Sequence, residues 1–197
     1  MNSSGVKKKE KKRKETLQRN KYNKEREIIY ENDMSLPLLT FVEARPYKFL
    51  IMDAPRTSNI PEYLREMKKR RVTDIVRVCE EETYKKEVME NANIKVYDFA
   101  YKDGTTPPKE VLTNWLELCS TRFQKEKSTG AIAIHCVAGL GRAPLLVAIA
   151  IIESGRDYTD AVSLIRQKRS GCINKAQLEY LKSYKPMMKS QGCCVVS

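Results

Sequence analysis

The stretch AIAIHCVAGLGRAPLLVAIAII, residues 131–152, limits what this chain can fold into more than any other. It begins with a short apolar run that ends at His135, the only histidine in the chain. It ends with residues 143–152, which are almost wholly apolar. Between them lies a loop of small residues that includes Gly139 and Gly141. The short run reads as a strand buried on both faces, and the long run as a buried helix. With strands and helices alternating along the rest of the chain, they argue for a layered α/β fold with a mostly parallel central sheet flanked by helices. The long run falls short of the ~18 apolar residues that a membrane-spanning helix needs.

The rest of the chain agrees with that class. Apolar runs at residues 38–44, 47–53, 73–80 and 94–99 predict four more strands. One helix is predicted after Ser58 or Asn59 as its cap, with Pro61 in the first turn. Others are predicted at residues 83–91 and 109–127, the second with Leu112, Trp115, Leu116 and Phe123 on one broad face. DYTDAVSLIRQKR and NKAQLEYLKSYK predict two closing helices that pack on one side of the sheet. AYKDGTTPP, residues 100–108, reads as a loop. The chain has 197 residues, enough for one domain with a real core.

Net charge is +12, and the first 27 residues hold 11 Lys or Arg against 4 Glu. Such a run is either a solvated extension or an attraction to anionic surfaces. No aromatic-rich basic stripe follows it, so specific nucleic-acid readout is not expected. The six cysteines stand at 79, 119, 136, 172, 193 and 194, with no CxxC spacing for a metal. No apolar leader precedes them. Free thiols in a reducing compartment are expected, with no metal and no cofactor.

The corner at 135–142 carries the chemistry. Glycines let the backbone of Cys136-Val137-Ala138-Gly139-Leu140-Gly141-Arg142 turn its N–H groups inward as an anion nest. The following helix adds the positive end of its dipole. Arg142 at that helix start can fork onto two phosphate oxygens. The same field favours a thiolate at Cys136. A thiolate at the base of a phosphate cradle is a nucleophile aimed at phosphorus. The alternatives are a buried structural cysteine in a glycine-rich turn and a rhodanese-like sulfur-carrier loop. His135 has no companion at metal-ligand spacing, and its ring is expected to hydrogen-bond backbone near Cys136. A leaving oxygen needs a proton. Asp103, in a loop expected at the same sheet edge, is the candidate donor, with Asp98 second.

HCVAGLGRAP, IVRVCE, DGTTPP with the later Trp115-Leu116, LIRQKRSG and the ending CCVVS together resemble the phosphatase of regenerating liver family. These are the prenylated type IVA protein tyrosine phosphatases of the dual-specificity group. The resemblance spans roughly residues 44–197 and implies a cysteine-dependent phosphatase fold. The polar, basic residues 1–33 lie outside it and read as a flexible extension, which leaves residues 34–187 as the phosphatase domain and 188–197 as a prenylation tail. The resemblance also implies Cys136 as nucleophile, Arg142 as phosphate ligand and Asp103 as general acid. Residues 137–142, Val137, Ala138, Gly139, Leu140, Gly141 and Arg142, then bind phosphate.

Cys79 matches the family's second cysteine, which can form a disulfide with the nucleophile and protect it from over-oxidation. Ala143 stands where the wider superfamily carries a hydroxyl residue, which implies slow breakdown of a phosphocysteine intermediate. The family's Trp-Pro-Phe-Asp-Asp-Gly loop reads FAYKDG here. Loss of the proline frees backbone, and Lys102 beside Asp103 favours carboxylate over acid. Catalysis slower than the family's norm is therefore expected. The uncharged loop side chains favour a phosphotyrosine protein over a polyphosphorylated lipid. The resemblance further implies self-association, and as an alternative output a binding module for a cyclin M-type magnesium transporter.

Cys194-Val195-Val196-Ser197 fits a C-a-a-X signal, with Ser favouring a farnesyl group on Cys194. A single prenyl chain needs a second signal. Lys182, Lys185 and Lys189, the basic N-terminal run, or palmitoylation of Cys193 are candidates for it. The expected place is the cytoplasmic face of plasma and endosomal membranes, with cytoplasm and nucleus for unprenylated chains.

Overall fold

Strand β1 (Leu39–Ala44) buries Val42 and Ala44 and exposes Glu43 between them, while β2 (Tyr47–Met52) buries five of its six residues. The two pair antiparallel in a computed structural model that describes residues 39–187. The predicted extension, residues 1–33, and the tail, residues 188–197 with Cys193 and Cys194, lie outside the described residues.

β3 (Asp74–Arg77), β4 (Lys95–Asp98) and β5 (Ile132–His135) complete a five-stranded sheet of order β1-β2-β5-β3-β4. β2, β5, β3 and β4 run parallel. The fully apolar run before His135 becomes the central strand, buried on both faces. Register places His135 beside Met52 on one side and Arg77 on the other. The loops that follow β2, β5, β3 and β4 therefore emerge along one edge.

α1 (Ile60–Lys69) and α2 (Lys86–Glu90) cover one face of the sheet, with Tyr63, Met67 and Met89 against Leu50, Met52 and Ile75. α3 (Lys109–Cys119), α4 (Arg142–Glu153), α5 (Tyr158–Lys168) and α6 (Lys175–Ser183) cover the other. Every residue of α4 is buried, as its all-round apolarity requires. Trp115 of α3 is fully buried and donates Nε1–H to the Leu146 carbonyl at 2.8 Å.

Three expectations are corrected. The helix predicted over 109–127 is α-helical only to Cys119 and continues as a π-turn, Ser120–Lys125. The wider turn lets Phe123 join the Tyr47–Phe49 aromatic cluster and lets Arg122 reach the fully buried Asp74 at 2.7 Å. Asn59 does precede α1, but its side chain makes no cap bond there; its Oδ1 accepts from the Arg56 N–H at 2.8 Å. The run 73–80 keeps ladder pairing only over Asp74–Arg77, because Cys79 already belongs to the loop above the sheet edge. No helix among the described residues is long and apolar enough to cross a membrane.

Candidate active site

The loop after β5 is held open by its carbonyls. Val137 O accepts from the Ala54 N–H at 2.9 Å, Leu140 O from Ile173 N–H at 2.8 Å, and Gly141 O from Leu145 N–H at 3.1 Å. Ala138 O and Gly139 O accept from Nη2 and Nε of Arg169 at 3.0 and 2.6 Å. With all five carbonyls turned outward, the loop's N–H groups are left on the inner side. That is the nest that an anion needs. Gly139 has φ of 67°, as the turn requires. Gly141 was expected to share that role and does not, since its φ is −113°. A side chain there would press on Gln177, whose Nε2 lies 3.4 Å from the position a Cβ would take.

Cys136, Arg142 and Asp103 meet in one cleft of about 360 Å³, which Val137, Ala138, Leu140, Gly141 and Gln177 also line. Cys136 sits at the end of β5 with 4% of its surface exposed. Arg142 is the first residue of α4 and is buried. Its Nε lies 3.2 Å from Asp103 Oδ1, and its Nη1 donates to the Tyr101 carbonyl at 2.9 Å. The Tyr101 hydroxyl donates in return to the Arg142 carbonyl at 3.2 Å. Buried Tyr101 thus ties the FAYKDG loop to α4. The missing proline was read as freeing this segment, and the tyrosine anchors it instead.

Asp103 is largely exposed, and Gly104 N–H donates to its Oδ1 at 2.9 Å. Asp98, the second candidate acid, does not enter the cleft. Arg77 holds it through Nε to Oδ1 at 2.5 Å and Nη2 to Oδ2 at 3.0 Å, and Lys86 also pairs with Oδ2. The Arg77 hydrogen bond outweighs desolvation and keeps the carboxyl below its usual range. Asp98 is a structural anion of the sheet edge.

His135 bonds backbone as expected and does more. Its Nδ1 lies 3.3 Å from Cys136 O and 3.9 Å from Cys79 Sγ, while Nε2 lies 2.9 Å from the Tyr84 hydroxyl. A neutral ring satisfies this set when Nδ1–H donates to the carbonyl and Tyr84 donates to Nε2. Burial pushes the ring's pKa down to about 4, although the bond to Cys136 opposes that shift. A lowered folded value means the unfolded chain binds the proton more readily. The stabilisation is full above pH 6.5 and is lost as pH falls from there to about 4. Urea unfolding of wild type should lose about 3 kcal/mol more across that window than His135→Gln does. Parallel pH profiles would refute a neutral buried ring.

Cys79 and Cys136 are free thiols in this structure. Burial raises the Cys79 pKa most; Arg142 lowers it and Cys136 raises it, which places the two thiols within each other's field.

Two contributors were missed from the sequence. Arg169, in LIRQKRSG, is buried, and besides the two loop carbonyls it reaches Thr40 Oγ1 at 3.1 Å. Gln177 accepts from Asn174 N–H through Oε1, while its buried Nε2 has no hydrogen-bond partner among the described residues and faces the cleft. It is a ready donor to a ligand oxygen or a water. Both residues lie more than 25 positions from the loop, and nothing in local spacing marks them.

Residues 40–188 match the family model described as Swiss Army Knife protein, DSP-PTPase phosphatase domain. The chain is 44% identical over 172 residues to human protein tyrosine phosphatase type IVA 3, covering 83% of this chain and 98% of that one. It is 45% identical over 150 residues to the PRL-1 phosphatase of Drosophila melanogaster, covering 76% and 84%. The chain belongs to the type IVA protein tyrosine phosphatases. A solved chain described as a protein tyrosine phosphatase from Leishmania major superposes with a TM-score of 0.66 at 40% identity, over 75% of this chain and 99% of that one. The fold is that of the cysteine phosphatases, and the type IVA phosphatase described here is an enzyme of that family.

Proposed function

We propose that the type IVA phosphatase works through a phosphocysteine on Cys136 and releases phosphate slowly. The convergence of Cys136, Arg142 and Asp103 on the loop nest carries this reading. In the first step the Cys136 sulfur attacks phosphorus, the bond to the leaving oxygen breaks, and Asp103 gives that oxygen its proton. Arg142 and the inward N–H groups hold the equatorial oxygens. In the second step water attacks phosphorus, Asp103 takes the proton, and Cys136 leaves as thiolate. Ala143, fully buried at the foot of α4, has no hydroxyl to assist that departure. Intact-protein mass measured after brief exposure to a small aryl phosphate should show a phosphate adduct that persists for many turnover times of a fast phosphatase. No adduct in folded, reduced protein would sink the reading.

Lys102 stands beside Asp103, exposed and with no ion-pair partner among the described residues. Lys102→Asp, which restores the acid that the family carries beside Asp103, is expected to raise the single-turnover rate about three- to tenfold. Stopped-flow with an aryl phosphate checks it, and an unchanged rate removes Lys102 from the account. Val137 and Leu140, 49% and 37% exposed, give the mouth an apolar rim suited to an aromatic ring, which supports a phosphotyrosine substrate.

The anchor is proposed on the same footing: a farnesyl group on Cys194, with basic residues as the second signal. Cys194→Ser should shift the protein from the membrane to the soluble fraction of cells. Unchanged fractionation would refute the anchor.

A further inference from the structure

We propose that the end of the domain opposite the cleft is a docking surface for an anionic bilayer, so that the membrane-bound enzyme holds its mouth away from the lipid. The choice of a bilayer over another polyanion rests on the lipid anchor proposed above; the surface itself does not.

The parallel strands set the two ends. The cleft lies at their C-terminal ends, and the opposite end gathers the segments that lead into them. The β1–β2 turn contributes exposed Arg45. The end of α1 and the link to β3 contribute exposed Lys68, Lys69, Arg70 and Arg71. The loop into β5 contributes exposed Lys127. These segments touch: the Arg70 carbonyl accepts from Ala131 N–H at 3.2 Å, and Lys48 Nζ donates to the Thr129 carbonyl at 3.3 Å. The cations therefore form one surface, not scattered points along the chain.

Their charge is largely uncompensated. Glu43, Glu66 and Glu126 are nearby acids, and each already lies within ion-pairing distance of Lys48, Lys69 or Arg122. Exposed Glu90 before β4 and exposed Asp157 and Asp160 after α4 stand at the same end, where the cations outnumber the acids. Arg45, Lys68, Arg70, Arg71 and Lys127 have no acid within that distance among the described residues. Basic side chains at the end of α1 also complement its dipole. That accounts for Lys68 and Lys69, but not for Arg45 or Lys127 on separate loops. The opposite end is mixed in sign, with exposed Glu80, Glu81 and Glu82 beside Cys79.

The chain also leaves the domain at the basic end. α4 runs back from the cleft, and its last residue, Glu153, accepts from the Tyr184 hydroxyl at 2.5 Å and from Met187 N–H at 2.7 Å. Tyr47, at the start of β2, feels the Glu153 charge. The described chain therefore ends at Met187 beside the same strand starts. Cys194 lies seven positions further along the chain, a reach of at most roughly 25 Å. A lipid held there brings the basic end, not the mouth, to the headgroups.

The test uses full-length Cys194→Ser protein, which carries no prenyl group, so the surface is read without the anchor. Co-sedimentation with phosphatidylcholine vesicles holding about 30% phosphatidylserine is compared with pure phosphatidylcholine. Wild-type surface binding is expected on the anionic vesicles alone and should weaken steeply at about 0.5 M salt. Each headgroup-facing charge is worth about fivefold, so Lys68→Gln/Arg70→Gln/Arg71→Gln, which removes three, should lower partitioning about a hundredfold. Arg45→Glu/Lys127→Glu, which alters no helix, should lower it more than about tenfold. Lys85→Glu/Lys109→Glu at the mouth end should stay within about twofold, and bound protein should still hydrolyse a soluble phosphopeptide.

Binding that survives both basic-end variants would overturn the proposal and assign the attraction to the N-terminal run. Loss in the mouth variant alone would reverse the orientation. Capture of an RNA oligomer without vesicle binding would replace the bilayer by nucleic acid. A Cys194 that never carries a lipid in cells would fail the anchor while leaving the vesicle result readable.

Discussion

Cys136→Ser is expected to lower turnover of an aryl phosphate by about 10⁴-fold or more. The serine oxygen would stand at the same place at the end of β5, inside the same ring of outward carbonyls and inward N–H groups. It would remain a hydroxyl there, because an alcohol ionises far less readily than a thiol. Arg142 keeps its own supports, the Tyr101 carbonyl and Asp103. Phosphopeptide binding by calorimetry should therefore stay within about threefold while the phosphate adduct disappears from the mass spectrum. Turnover that survived this change would remove Cys136 as the nucleophile.

Gly139→Ala should damage both stability and activity, because the fold leaves no room for one methyl group. The new Cβ would lie 2.4 Å from the Met52 carbonyl oxygen and 2.3 Å from Arg169 Nη2. The guanidinium can shift, but only by releasing the Ala138 and Gly139 carbonyls that it holds. The Met52 peptide cannot, since β2 is paired with β1 on one side and β5 on the other. Strain at φ of 67° adds to the clash. The sum is about 2–4 kcal/mol of lost stability, with at least about a tenfold fall in kcat/KM as the nest distorts. Gly104→Ala is the matched control. Its φ is 74°, yet nothing lies within 4 Å of the added Cβ, so about 1 kcal/mol is expected. Urea unfolding and aryl phosphate kinetics on both variants separate backbone strain from contact with β2 and Arg169. Equal losses in the two would remove the close approach of Met52 from the explanation.

Much of the site was legible in the chain because its chemistry is local. Cys136, the loop glycine and Arg142 lie within seven consecutive residues, and an apolar run on each side fixes which is strand and which is helix. Asp103 was legible as a loop acid after a strand, and sheet register then brought it to Arg142. Asp98 shows the limit. It stands five residues earlier and has the same carboxyl, but it pairs with Arg77 on the neighbouring strand, 21 positions away. The choice between the two acids depends on strand pairing, which residue type and spacing do not encode.

The π-turn after Cys119 escaped the sequence for a similar reason. Its periodicity reads as continuous helix, and only the pull of buried Asp74 on Arg122 and of the aromatic cluster on Phe123 widens it. What the amino-acid order settled was the α/β class, the central buried strand and the loop that can cradle an anion, because periodicity and glycine act over a few residues. The tertiary structure decided which carbonyls Arg169 pins, which amide Gln177 turns into the cleft, how His135 stays neutral, and at which end the basic side chains collect. Each of those depends on groups far apart in the chain meeting across packed layers, where burial and pairing set the energies.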